Sequence, residues 1–184
     1  MGINPPFRDI SFGKFTGNGT LKDWYMKINK SFGTRGSSKT LFKMHGDFKT
    51  SNTAEEALDE LKRGLRDEKK AYIYHCHNHY FLIIGYESNP NLPIEAYYKS
   101  ENLTDTEEWV VIGEISKKFA PFHIKKWSEI VLDLDQQHPK YFNIRHTERG
   151  IMEKKVKDTT KSKKIGNNLH CIIEFSSERA LAQL

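Results

Sequence analysis

The sequence predicts an α+β fold in which helices pack on a mostly antiparallel sheet. Three observations carry that prediction. Apolar residues recur at spacings of three and four up to about residue 65, strand-like runs dominate from residue 71 onward, and those runs are separated by short Asn, Pro and Gly clusters. Helices first and adjacent strands afterwards are the pattern of an α+β chain, and no internal repeat interrupts it.

The elements follow in order. Residues 1–19, rich in Gly, Pro and Asn, read as an irregular entry segment. Thr20 is placed to cap a helix whose buried stripe is Leu21, Trp24, Tyr25, Ile28 and Phe32, with Gly33 as its stop. A short second helix is expected after "GTRGSSKT", with Ser37 or Ser38 as cap, Leu41, Phe42 and Met44 packing, and Gly46 past its end. In "TAEEALDELKRGL" the Thr53 hydroxyl can accept from the Glu56 amide while the Glu56 carboxylate reaches back. This capping box opens a helix with Leu58, Leu61 and Leu65 buried. Strands are expected at 71–75, 79–86, 94–98 and 108–113. A fourth helix is expected over "HIKKWSEIVLDLDQ", with Ile124, Trp127, Val131 and Leu134 inward and an end before Pro139. A strand at 141–145, a basic loop at 153–168 and an apolar stretch at 169–175 complete the chain.

Length and composition narrow the function. The 184 residues fit a single domain over 1–184, long enough to bury a core, and 12 % aromatics with 29 % charged residues is a globular composition. A net charge of +5 favours anionic partners without naming one. Two cysteines, Cys76 and Cys171, and no apolar leader point to a reducing compartment; the expected address is the cytoplasm, with the nucleus as the alternative. No run is long enough to span a membrane. Walker, dinucleotide, zinc-protease and EF-hand signatures are absent, so no cofactor is expected.

The stretch "AYIYHCHNHYFLIIGYE" concentrates the chemistry. On one continuous strand His75, His77 and His79 would share a face and form an imidazole set suited to Zn²⁺. A hairpin turning at "CHN" would instead scatter the three rings, and no acidic or cysteine ligand nearby completes a shell. Tyr74, two residues before Cys76, imitates the tyrosine corner of an immunoglobulin variable domain. No earlier cysteine exists to pair with Cys76, and a capped helix stands where strands are required, so an immunoglobulin fold is excluded.

The runs "YHCHNHYFLIIGYE", "FHIKKWSEIVLDL", "NIRHTERG" and "GNNLHCIIEF" together resemble the basic, immunoglobulin-like variable motif-containing protein family over roughly residues 20–175. That resemblance implies no settled activity. A more distant similarity is to papain-like cysteine hydrolases, whose general-base histidine opens a strand reading His, aromatic, aliphatic, Gly-Tyr. The similarity implies His79 as base and Glu114 as the group that fixes its tautomer. It implies a nucleophile at the start of an earlier helix, where this chain has Gly36, Ser37 and Ser38 and no cysteine; Ser38 there reads as a helix cap. No glutamine precedes Gln136 to serve an oxyanion hole. Circularly permuted relatives of such hydrolases place the cysteine late, which would make Cys171 the nucleophile for His79. Ile172, Ile173 and Phe175 favour instead a strand with an inert core cysteine.

Three functions follow as expectations. The first is a noncatalytic interaction module on a papain-like scaffold, with a protein partner. The second is a thiol hydrolase or transferase using His79 with Cys171. The third is nonspecific contact with nucleic acid or another anionic partner through Arg145, Arg149, Lys154, Lys155, Lys163 and Lys164, a stretch without the interleaved aromatics of a dedicated nucleic-acid surface.

Overall fold

Long-range pairing, more than local propensity, sets the elements of this chain. A computed structural model describes residues 7–76, 79–97, 106–115, 120–137, 139–153 and 170–178. Helix α1 spans Asn18–Ser31, strand β1 Arg35–Phe42, helix α2 Ala54–Gly64, β2 Lys70–Cys76 and β3 His79–Pro90. They are followed by β4 Thr106–Gly113, β5 Phe122–Lys126, α3 Trp127–Asp135, β6 Lys140–Phe142, β7 Ile151–Glu153 and β8 Cys171–Glu178. Six strands form one sheet in the order β1-β8-β2-β3-β4-β5, every neighbouring pair antiparallel. A separate two-stranded pair joins β6 to β7. The fold is α+β with a mostly antiparallel sheet, and a single sheet carrying helices on both faces is not an immunoglobulin sandwich.

Each face of the sheet buries its own set. Tyr72, Tyr74, Cys76, Phe81, Ile83, Val110, Ile112 and Ile172 face Leu58 and Leu61 of α2 and Ile130 and Leu134 of α3. On the opposite face Cys171, Ile173 and Phe175 pack under Leu21 and Tyr25 of α1, beside Ile73. Strand β8 lies between β1 and β2 and is buried continuously from Cys171 to Phe175, which is why "CIIEF" reads as an apolar run with little alternation. The α2 cap is as the sequence dictates: the Glu56 amide donates to the Thr53 hydroxyl (3.2 Å) and the Thr53 amide donates to the Glu56 carboxylate (2.8 Å).

Several expectations are corrected. The second helix is strand β1. Ser38 pairs with Phe175 of β8 and caps nothing, because seven register pairs with a buried strand outweigh a weak local helix signal. Helix α1 starts two residues before Thr20, whose hydroxyl bonds the Thr16 amide (3.2 Å) instead of capping. Gly33, at φ +65°, does end it. Residues Pro93–Tyr97 form a 3₁₀ turn where a strand was expected at 94–98. The fourth helix is halved: Phe122–Lys126 pairs with β4 and only Trp127–Asp135 is helical. The strand expected at 141–145 is β6, ending at Phe142. The basic loop from residue 154 lies outside the described residues.

Candidate functional site

Antiparallel pairing decides which of the candidate residues can meet. Directly opposed residues share a face, and successive residues alternate. Cys76 opposes His79, and His75 opposes both Tyr80 and Cys171. Cys76 and His79 therefore face the α2–α3 side, whereas His75 and Cys171 face the α1 side. This corrects the pairing of His79 with Cys171, because the sheet stands between them. It corrects the metal trio as well: His75 and His79 lie on opposite faces, and His77 is outside the described residues. Among the described residues no group of three or more His, Cys, Asp or Glu side chains is placed to hold a metal ion.

On the α2–α3 side, at the end of the sheet where β3 begins and β4 ends, the chain builds a compact polar cluster. Glu114 follows β4, its amide donating to the Pro121 carbonyl (2.8 Å). His123 on β5 brings Nε2 to 3.2 Å from Glu114 Oε2. A turn at Asn143, whose Oδ1 accepts from the Arg145 amide (3.0 Å), presents the Arg145 guanidinium as a fork on both Glu114 oxygens. The same guanidinium lies 4.9 Å from the centre of the Phe81 ring. Phe81, Ile112, Ile144, Lys125, His123, Glu114 and Arg145 line a cleft of about 40 Å³, room for about one water molecule.

The His79 ring stacks on Phe81, with centroids 6.4 Å apart. Partial burial, then the Arg145 charge, hold its pKa below 6.5, with Glu114 acting in the opposite sense. The implied role of Glu114 is corrected here: its oxygens serve Arg145 and His123 and do not fix the His79 tautomer. Arg145, expected as an anion contact, has its fork engaged on Glu114. Arg149 is exposed and lies 3.7 Å from Glu148; Lys154, Lys155, Lys163 and Lys164 lie outside the described residues.

Deeper on this side, Tyr74 donates its hydroxyl to Asp133 of α3, and His170 Nδ1 sits 3.1 Å from the same Asp133 oxygen. Cys76 is 2 % exposed beside this group. Burial first, then the nearby Asp133 carboxylate, push its thiol well above the ordinary value, against the opposing pull of Arg145 and a Tyr74 hydrogen bond. Across the sheet Cys171, also 2 % exposed, accepts a hydrogen bond from Asn18 Nδ2 (3.3 Å). Burial raises its pKa to about 11 despite Lys43 and Lys22. Its register partner His75 lies flat on Tyr80, rings 4.5 Å apart, and the Tyr80 hydroxyl donates to Asn18 Oδ1 (2.9 Å). Ser38 faces α1, three strands from β3 and on the opposite side from His79.

The sequence reading missed His123 and the Tyr74–Asp133–His170 group. Folding His123 into a helix hid its cross-strand relation to Ile112. Asp133 had a visible signal, a carboxylate inside the apolar stripe of "EIVLDL", where a charge is tolerated only with partners.

A family model described as basic immunoglobulin-like variable motif-containing protein matches residues 1–182. The chain belongs to that family. Relatives of the same description share 49 % identity in Homo sapiens over 177 residues and 46 % in Xenopus tropicalis over 176, in each case 95 % of this chain and 34 % of the relative. A more divergent basic immunoglobulin-like variable motif-containing protein, from Giardia intestinalis, is 27 % identical over 167 residues, 80 % of this chain and 62 % of its own length. The chain thus spans about a third of the vertebrate relatives. No solved structure matches it. Tyr74 and Cys76, which imitate a variable-domain strand in sequence, lie on β2, where the Tyr74 hydroxyl donates to the Asp133 carboxylate of a helix. Among the described residues no helix is long and apolar enough to cross a membrane.

Proposed function

We propose that this chain is a noncatalytic interaction module. The observation that carries the reading is the state of its two thiols. Each is buried, and each has its pKa pushed up by burial. A nucleophilic thiol needs the opposite, a lowered pKa and access to substrate. Cys171 meets a histidine stacked on a tyrosine face, and Cys76 meets the Asp133 carboxylate, which opposes thiolate formation. The Glu114–Arg145–His123 cluster binds itself, so its geometry serves to join the end of β4 to the turn after β6. The papain-like component of the reading rests on one relation: β3 and β4 are adjacent and antiparallel, so the His79 and Glu114 positions fall at one end of the sheet.

Thiol labelling tests the reading. Iodoacetamide should modify Cys76 and Cys171 at least about 100-fold more slowly in native protein at pH 7.5 than in urea-unfolded chain, as expected for buried, protonated thiols. His75→Ala and His79→Ala should leave those rates slow. Fast native labelling of either cysteine near neutral pH that collapses on removing one of these histidines overturns the proposal and reinstates a thiol enzyme.

A further inference from the structure

Strand β1 is an edge of the six-stranded sheet: β8 bonds one side of it, and among the described residues no strand lies along the other. Such an edge is a row of backbone N–H and C=O groups that an extended chain can complete. The open part runs from Arg35 to Thr40, about 20 Å of strand. Beyond it the chain closes its own edge, the Asn52 side-chain amide donating to the Leu41 carbonyl (3.0 Å) and the Thr50 backbone amide to the Lys43 carbonyl (2.9 Å). The entry segment before α1 lies on the other flank of that helix, where Trp24 donates to the Phe12 carbonyl and Phe15 meets Tyr80 of β3.

We propose that this edge binds an extended segment of a protein partner, added to β1 as a further strand, with acidic and apolar residues alternating along it. The inference rests on the interaction-module reading and names the partner's chemistry. The alternation is set by what stands on each side of the edge. Lys39 opposes Glu174 and is paired with Glu60 of α2, so Arg35, Ser37 and Lys39 point to the α2 side, and all three are exposed. Glu60 and Glu174 are held by Lys39 and Lys70. Arg35, although opposite Glu178, makes no ion pair among the described residues. At the Thr40 end of the edge a cleft of about 430 Å³ is lined by Lys39, Thr40, Lys49, Asn52 and Glu60. Lys49 there is exposed and also makes no ion pair among the described residues. Arg35 and Lys49 therefore leave positive charge at both ends of the edge, which acidic side chains of an added strand would meet. The α1 side is different. Lys22 donates to the Thr40 hydroxyl (2.9 Å), and Asn29 abuts Gly36, where a Cβ would lie 2.4 Å from the Asn29 side chain. Met26 stands between those two on the same stripe of the helix and is 45 % exposed, an apolar contact for a side chain of the added strand. A second copy of this chain does not suit the edge. Antiparallel pairing of two β1 strands centred on Ser37 would set Arg35 of each against Lys39 of the other, like charges directly opposed.

The probe is a peptide of about ten residues, the length of a long strand, alternating Glu and Val, against a scrambled peptide of equal composition. In ¹⁵N spectra of the whole chain the alternating peptide should shift the amides of Arg35 to Thr40 and of Met26, and the scrambled one should not. Successive amides of a strand point to opposite edges, so N-methylation at alternate positions gives two versions of the peptide. One should lose binding and the other keep it. Arg35→Glu, a change at an exposed residue, should weaken binding about threefold to tenfold, one exposed ion pair being turned into a repulsion, and should flatten its salt dependence. Equal response to the scrambled peptide, no response at all, a like response to both methylated versions, or shifts elsewhere on the molecule would overturn the proposal. So would a concentration-dependent dimer in sedimentation that shifts the same amides, which would make the occupant a second copy. The same shifts with a single-stranded oligonucleotide would overturn it in favour of a nucleic acid. Thiol inertness is read separately, so a failed edge and a failed interaction-module reading give different results.

Discussion

Replacing Arg145 by Met should expose what the polar cluster is for. The Glu114 side chain is 6 % exposed and that of Arg145 16 %, and the guanidinium holds both carboxylate oxygens while lying on Phe81. Methionine keeps most of the packing volume and removes the charge. Among the described residues it leaves the buried carboxylate with His123 as its remaining ion-pair partner. Breaking a buried pair from one side costs about 3–5 kcal/mol; the residual exposure of Arg145 places this case near the lower end, about 3 kcal/mol. For a chain of this length that corresponds to a Tm lower by about 6–12 °C. Urea denaturation of the wild type, Arg145→Met, Glu114→Gln and the double variant gives the coupling. The double variant should recover most of the loss and fall within about 1 kcal/mol of wild type, because no charge is then left buried without its partner. A loss below about 1 kcal/mol for Arg145→Met, or strictly additive losses in the double variant, would refute the claim that the cluster is a structural tie.

Two further outcomes follow from other parts of the fold. A Cβ at Gly64 would lie 1.6 Å from the Tyr72 hydroxyl oxygen, on a ring that is fully buried and donates to Glu174 at 2.8 Å. Gly64→Ala should therefore cost about 2–4 kcal/mol in urea unfolding, overpacking and a disturbed buried hydrogen bond outweighing the helix preference for Ala; a neutral or stabilising result would mean the Tyr72 ring relaxes freely. His79 has its pKa held below 6.5 by burial and by Arg145, so the unfolded chain binds the proton more readily. Its contribution to stability is full above pH 6.5 and is lost as pH falls through the lowered folded value. The Tm difference between wild type and His79→Gln should change across that interval and stay flat above it, and a difference independent of pH would show that the native ring titrates normally.

How far the sequence reached can be seen residue by residue. The α2 cap, the α1 stripe at Leu21 and Tyr25, the β3 and β4 strands and the buried character of Cys171 were legible because each depends on neighbours within a few positions. The proximity of His79 to Glu114 was legible in part, since adjacent antiparallel strands bring the start of one to the end of the next. Strand β1 was not legible: its Ser-rich stretch has the local look of a helix start, and only β8, more than 130 residues later, supplies its hydrogen bonds. The break of the fourth helix at Lys126 was hidden for the same reason, β5 being a strand only because β4 lies beside it.

The sequence by itself determined the α+β class, the capped helix and the core character of Cys171, which follow from local chemistry and periodicity, and its quoted runs carried the family resemblance. Only the tertiary structure decided which thiol meets which histidine, that Glu114 belongs to Arg145 and His123, and that Leu82, Ile84, Phe122 and Ile124 are exposed. The physical reason is that a β-strand's period of two fixes which residues share a face, but not which strand lies alongside. That partner is set by the burial of the whole sheet, and with it every contact that could carry function.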